Sequence, residues 1–338
     1  MLKRRSLLAI GVAMTCLGLG LSSVVQAAEL TKASLRLKWL PQTQFAGFYV
    51  AQAKGYYRDE GIDLTINPGG PNLLTENLVA SGTDTFGLSG GTDSVFAARA
   101  KKLPIICIGV AHQLTPFVFV SKKDGPVKTL EDFRGRNVTT WFTGSNYVLL
   151  GMLADKNIAQ KDVKIQPQQV SVTPFVDGDV DVVTATWYNE LDTLKTRMGA
   201  DNLRLFVAED YGITFPRDTL ITSEKVAKEN PELVKAFLRA TLRGWKDAIK
   251  DPKNAVDTVM AVAPTLERPH QEAMLTEAVR LMEAGSAKEN GLLTIDATAV
   301  QKAHDFLLKY NVIPEAVDLK AAFHPEFLES IPAADRKL

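Results

Sequence analysis

The chain has 338 residues, 46% hydrophobic and 23% charged, proportions that exclude wholesale disorder and leave room for two domains. Its 39 Lys and Arg balance 39 Asp and Glu, so it has no basic excess to hold a nucleic-acid backbone. Two cysteines are too few for a disulfide scaffold or a multi-cysteine metal site.

The first residues read as an export signal. Lys3, Arg4 and Arg5 form a positive start, Leu7 to Leu21 is apolar apart from Thr15, and Val25-Gln26-Ala27 fits a small-residue cleavage site. That apolar run of 15 residues is short for a membrane span of about 20. The expectation is a signal peptide over residues 1–27, cleaved near Ala27, with the product in the periplasm. Arg4-Arg5-Ser6-Leu7-Leu8 also resembles a twin-arginine signal, and Cys16 follows Met14-Thr15, a poor match to a lipoprotein box. Cleavage removes three positive charges and Cys16, leaving 36 − 39 = −3 and Cys107 alone. Cys107 lies in the apolar run Leu103–Val110 and reads as a small core residue.

The mature chain then alternates strands and helices. Leu35 to Trp39 alternates with period two and predicts a first strand; Phe45 to Lys54 predicts a helix closed by Gly55. Ile62 to Ile66 follows as a strand, and Asn72 is placed to cap a helix through Val79. Thr85 to Leu88 predicts a third strand, Thr92 to Ala100 a helix and Pro104 to Val110 a fourth strand. The pattern restarts with a short helix at Leu130–Phe133, strands at Asn137–Trp141, Val163–Ile165, Val180–Thr186 and Leu203–Val207, and helices at Ser145–Lys156 and Glu190–Met198. From about Ser223 the chain is mostly helical; Asn230-Pro231 marks a helix start, and Trp245 falls on that helix's apolar stripe, a core position. This is an α/β chain of parallel βαβ units. Two α/β sets and a helical tail predict two lobes, 28–118 plus 218–338 and 119–217, joined by a hinge around a cleft.

In open α/β sheets a ligand lies beyond the carboxyl ends of the strands, so residues there are the candidates. They include Trp39, Gly90, Thr92, Trp141, Gly144, Ser145, Trp187, Tyr188, Asn189, Glu190, Asp210 and Tyr211. Three of the four tryptophans are in that set, and flat aromatic faces would sandwich a planar ring. Asn189 offers a donor and an acceptor and Glu190 a strong acceptor, a pair suited to an aminopyrimidine or amide-like edge. Gly144-Ser145 opens a helix whose amides could face a ligand oxygen, although caps explain such residues equally well.

Enzyme signals are sparse. Gly87-Leu88-Ser89-Gly90-Gly91 fits G-x-S-x-G between a strand and a helix, the setting of a hydrolase elbow with Ser89 as nucleophile. The same glycines would equally let backbone approach a ligand. No H-E-x-x-H, Walker A or dinucleotide fingerprint occurs in the mature chain, so no metal or cofactor is expected.

Trp39-Leu40-Pro41, Phe45 to Ala51, Lys54-Gly55-Tyr56-Tyr57, Gly61-Ile62-Asp63, Asp84 to Gly87, Tyr188-Asn189-Glu190, Asp210-Tyr211-Gly212 and Asn230 to Val234 resemble one family. It comprises the periplasmic solute-binding proteins of ABC importers for nitrate, sulfonates, thiamine pyrimidine precursors and riboflavin, with the yeast-type pyrimidine synthase as a distant enzyme. The resemblance implies a type II periplasmic-binding-protein fold and delivery of a small molecule to a membrane permease and ATPase. The 188–190 and 210–212 runs are most similar to the branch for pyrimidine precursors and riboflavin. The synthase branch carries a cysteine cluster for iron, which Cys107 alone does not match. The expected protein is therefore a monomeric, non-catalytic receptor for a planar heterocycle, a thiamine pyrimidine precursor first, with riboflavin, a sulfonate or nitrate as alternatives and a Ser89 hydrolase as the alternative of another class.

Overall fold

The computed structural model describes residues 29–338, so the predicted export signal lies outside the described residues. Two five-stranded sheets organise the described residues. The first holds β1 (Thr31–Arg36), β2 (Ile62–Asn67), β3 (Phe86–Gly91), β4 (Ile105–His112) and β10 (Arg217–Ser223) in the order β2-β1-β3-β10-β4. The second holds β5 (Phe117–Lys122), β6 (Asn137–Thr140), β7 (Lys164–Pro167), β8 (Val182–Thr186) and β9 (Leu203–Val207) in the order β7-β6-β8-β5-β9. Each sheet thus contains one strand antiparallel to both its neighbours, β10 in the first and β5 in the second.

Those two strands are what sequence patterning missed. Each follows a passage of the chain from one sheet to the other, through residues 113–116 and 208–216. β10 is buried along its whole length, so no alternation marks it, and it begins with Arg217-Asp218, which reads as loop. The first strand lies four residues earlier than expected, because Leu37 to Trp39 continue past the sheet into a bend. β3 runs on through Ser89-Gly90-Gly91, so these residues belong to the strand rather than to a turn after it. Asn72 caps nothing: the helix is Thr75–Ala80 and Leu74 precedes it. The helix Pro231–Lys250 starts at its proline, as the Asn-Pro pair predicts, though the Asn230 side chain makes no capping bond.

The helical tail covers the first sheet. Trp245 is 1% exposed in its core, edge-on to Phe48. Gly47 of the helix Ala46–Ala53 faces that indole, and Gly244 faces the carbonyl of Gly47, so a methyl at either would collide. The missing side chains let these two helices touch backbone to backbone. A second buried cluster runs from Phe96 and Cys107 through Ala303 and Leu307 to Phe119 and Val138, tying the lobes together behind the cleft.

Candidate functional site

The cavity lies between the lobes, with about 430 Å³ of void including its mouth. The side built on the first sheet, which β10 rejoins at Arg217 rather than at residue 218, supplies Lys38, Trp39, Gln42, Gln44, Gly90 and Arg217. The side built on the second sheet, which starts with β5 at Phe117 rather than at residue 119, supplies Phe117, Trp141, Thr143, Ser145, Thr186 and the run Tyr188-Asn189-Glu190. Of the candidates read from sequence, the structure brings together Trp39, Gly90, Trp141, Ser145, Tyr188, Asn189 and Glu190.

The other candidates lie elsewhere. Trp187 packs into the far side of the second sheet with Val183 and Leu191, because alternation along the chain after β8 turns it away from Tyr188. Tyr211 packs against the interlobe core under Lys156, and Asp210 is exposed. Thr92 is buried at the head of its helix, its amide donating to the Pro216 carbonyl. Gly144 sits behind Arg217, whose guanidinium occupies the space a side chain would need. The Ser89 elbow is not formed. Ser89 is fully buried within β3 and its hydroxyl donates to Glu76, so it is no exposed nucleophile.

Aromatic residues form the walls. Trp39 and Trp141, one from each lobe, meet edge to face with centroids 5.4 Å apart. Trp141 is anchored by its indole N–H donating to the Gln169 carbonyl at 3.2 Å. Tyr188 is buried against Met274 and Leu281, and burial pushes its phenol well above the usual range. It therefore enters the cavity as a neutral group.

The first lobe's floor is a buried ionic layer. Arg217 donates through Nη1 to both carboxylate oxygens of Asp93, and the two side chains are 1% and 0% exposed. The guanidinium lies 4.5 Å from the Phe117 ring centroid, a cation–π contact. Burial pushes the Asp93 carboxyl up, and the charge of Arg217 pulls it back. Beside this pair Lys38 is bound to Asp218, which also accepts from Gln44 Nε2 at 2.6 Å. Asp218 holds a left-handed backbone at φ 55°, and the bonds from Lys38 and Gln44 fix its side chain there. Burial lowers the Lys38 ammonium below its usual range, Asp218 opposing. Burial opposes ionisation of Asp218 too, but the charges of His112 and Lys38 and these hydrogen bonds outweigh it and leave the carboxyl low.

His112 lies under this layer, its Nδ1 3.7 Å from Asp218 and without a hydrogen-bond partner. Burial pushes it down from 6.5 to about 4. The unfolded chain therefore takes up a proton between pH 6.5 and 4 that the folded chain refuses, and stability falls as pH falls through that window. The expected cost is about 2–3 kcal/mol between pH 7 and 4.5. Urea midpoints at the two pH values should show a smaller loss in His112→Gln; equal losses would refute the assignment.

Glu190 has a different setting. Oε2 accepts from the Thr186 amide at 3.0 Å and hydroxyl at 2.7 Å, and Oε1 accepts from Asn189 Nδ2 at 2.8 Å. Burial raises its carboxyl, Thr186 opposing. Its hydrogen-bond partners are neutral groups, unlike those of Asp93 and Asp218. Sequence reasoning reached this residue and missed Arg217, Lys38 and Gln44; for Lys38 the signal was its place beside Trp39.

Two mixed α/β lobes facing each other across such a cavity define a periplasmic-binding-protein fold. The alkanesulfonate-binding protein SsuA of Xanthomonas axonopodis pv. citri, solved bound to MOPS, superposes with a TM-score of 0.66 over 88% of this chain and 99% of its own, at 17% identity. The NMT1/THI5 like family model matches residues 42–255, and the chain belongs to that family. It is 28% identical to the riboflavin-binding protein RibY of Chloroflexus aurantiacus, over 88% of this chain and 86% of that one. It is 26% identical to the formylaminopyrimidine-binding protein of Halalkalibacterium halodurans, over 78% and 80%. A 4-amino-5-hydroxymethyl-2-methylpyrimidine phosphate synthase of Legionella pneumophila is 24% identical over 91% and 95%.

Proposed function

We propose that this protein is an exported receptor that captures a small planar heterocycle with an N–H edge, an aminopyrimidine of the thiamine-precursor kind, and hands it to a membrane permease and its ATPase. One observation carries the ligand class. Both cations lining the cavity are matched by buried carboxylates, Arg217 by Asp93 and Lys38 by Asp218, whereas the Glu190 carboxyl is held by neutral donors only. A sulfonate or nitrate would meet cations already neutralised, beside a carboxyl that no salt bridge matches. A ring with amino or ring N–H donors would meet an acceptor at Glu190 and stacking faces at Trp39 and Trp141. The likeness to a formylaminopyrimidine-binding protein agrees with this class.

A second reading, riboflavin, is favoured by the 28% identity to RibY across most of the chain. A flavin also carries an N–H edge, and because Trp39 and Trp141 meet edge to face, a ring of either kind stacks between them only when they part. The receptor is preferred to a synthase or hydrolase because Ser89 is turned onto Glu76 and Cys107 is buried, with burial pushing its thiol up to about 12. Closure on ligand would follow from tighter binding by the closed form than by the open one.

A thermal-shift panel of aminopyrimidine thiamine precursors, riboflavin, taurine-like sulfonates and nitrate tests the proposal. A ligand at a hundredfold excess over its Kd adds about 2.7 kcal/mol to stability. The expected result is a shift with pyrimidines that Glu190→Ala abolishes. A shift with flavin alone would replace the ligand, and a shift with anions alone would overturn the electrostatic argument.

A further inference from the structure

We infer that His270, outside the cavity wall, is a positioning residue that bolts the two lobes together and fixes the acceptor edge formed by Asn189 and Glu190. The inference rests on the proposal that the cleft holds the ligand. His270 belongs to the helix Arg268–Met282, which packs on β4 and on the turn Thr43–Phe45 of the first lobe. Both its ring nitrogens reach the second lobe. Nδ1 lies 2.8 Å from Asp192 Oδ2 and Nε2 lies 2.8 Å from Asn189 Oδ1.

The Asn189 end is the informative one. Its amide must turn either nitrogen or oxygen towards Glu190, and only the nitrogen can donate to a carboxylate. It does so at 2.8 Å, which leaves Oδ1 for the histidine. A donor at Nε2 therefore locks the amide in the orientation that also holds Glu190 Oε1. With Oε2 held by Thr186, the whole acceptor edge is fixed before a ligand arrives. Such preorganisation raises affinity by lowering the ordering cost of binding.

The same contact ties the edge to closure. His270 is carried by one lobe and both its partners by the other, so the two ring-nitrogen contacts exist only with the lobes together. Tyr188 joins them, packing on Met274 and Leu281 of the same helix. The neighbouring cation on that helix, Arg268, is engaged elsewhere, at 2.5 Å from Asp257. His270 thus makes the polar part of this lobe-to-lobe contact. Lobe opening would break its bonds and free the Asn189 amide in one step.

The test has two arms. In the first, a dye on each lobe reports the closed fraction of the ligand-free protein by energy transfer. His270→Ala is expected to lower that fraction, and His270→Gln, which keeps one neutral donor, to restore part of it. In the second, stopped-flow fluorescence of the cleft tryptophans follows release of 4-amino-5-hydroxymethyl-2-methylpyrimidine. Release from His270→Ala is expected to be roughly 10–100-fold faster, with the association rate little changed. Asp192→Ala should add little more in the His270→Ala background, since both remove one contact. Equal closed fractions in wild type and His270→Ala, or fully additive effects of the two substitutions on release, would overturn the inference. If the pyrimidine does not bind, the proposed ligand fails and the ligand-free arm alone decides for or against His270.

Discussion

Asp93→Ala is expected to cost about 3–5 kcal/mol of stability. The reason is the partner it leaves behind. Arg217 is 1% exposed and cannot shed its proton, so without Asp93 a full positive charge stays buried with no counter-ion. Its Nε already lacks a partner, and Phe117 offers only a ring face. Against a total stability of about 5–15 kcal/mol, such a loss is a third or more of the whole. Urea unfolding at neutral pH would measure it. The control is Asp93→Ala combined with Arg217→Met, which removes the stranded charge. The double variant should recover much of the loss, because replacing a whole buried pair by apolar groups is often neutral. A double variant no more stable than Asp93→Ala would show that packing, not charge, dominates there.

That ion pair also shows what the sequence could and could not reveal. The fold was largely legible, because βαβ periodicity and turn residues mark each parallel strand and its helix: Thr92–Ala100, Glu190–Met198 and Leu203–Val207 were placed to the residue. That Trp39 and Tyr188-Asn189-Glu190 line one cavity is legible because they lie at strand ends. Arg217 was not. It comes from an antiparallel strand that returns to the first sheet after the whole second sheet has formed, and it pairs with Gly91 of β3 across more than a hundred residues of chain. No local pattern encodes that neighbour. Trp187 and Tyr211 follow strands as expected but do not line this cavity, because the direction of the side chain depends on register, which composition does not carry. Ser89 matched a short motif whose meaning requires a sharp turn, and the strand runs straight through it.

Gly90→Ala is expected to leave the fold standing while weakening ligand binding roughly 10–100-fold. Gly90 lies in β3 of the first lobe, and a methyl on its α-carbon would point into the cleft and overlap the Thr143 carbonyl oxygen of the second lobe. The Ser94 hydroxyl, 2.6 Å from the same position, belongs to a side chain that can rotate away. The carbonyl cannot: it is backbone, and Gly144 after it holds φ at 145° with the Arg217 guanidinium against it. The clash therefore exists only when the lobes meet, and moving them apart relieves it. In the open form only the Ser94 hydroxyl has to rotate aside, so unfolding free energies should change by less than about 1 kcal/mol. Small-angle scattering should show a larger radius of gyration that ligand no longer reduces. Calorimetry with the ligand found by the thermal-shift panel should show the loss of affinity. Unchanged affinity with an unchanged radius would mean that the two lobes accommodate a methyl at their closest approach, and that ligand binding does not depend on this contact.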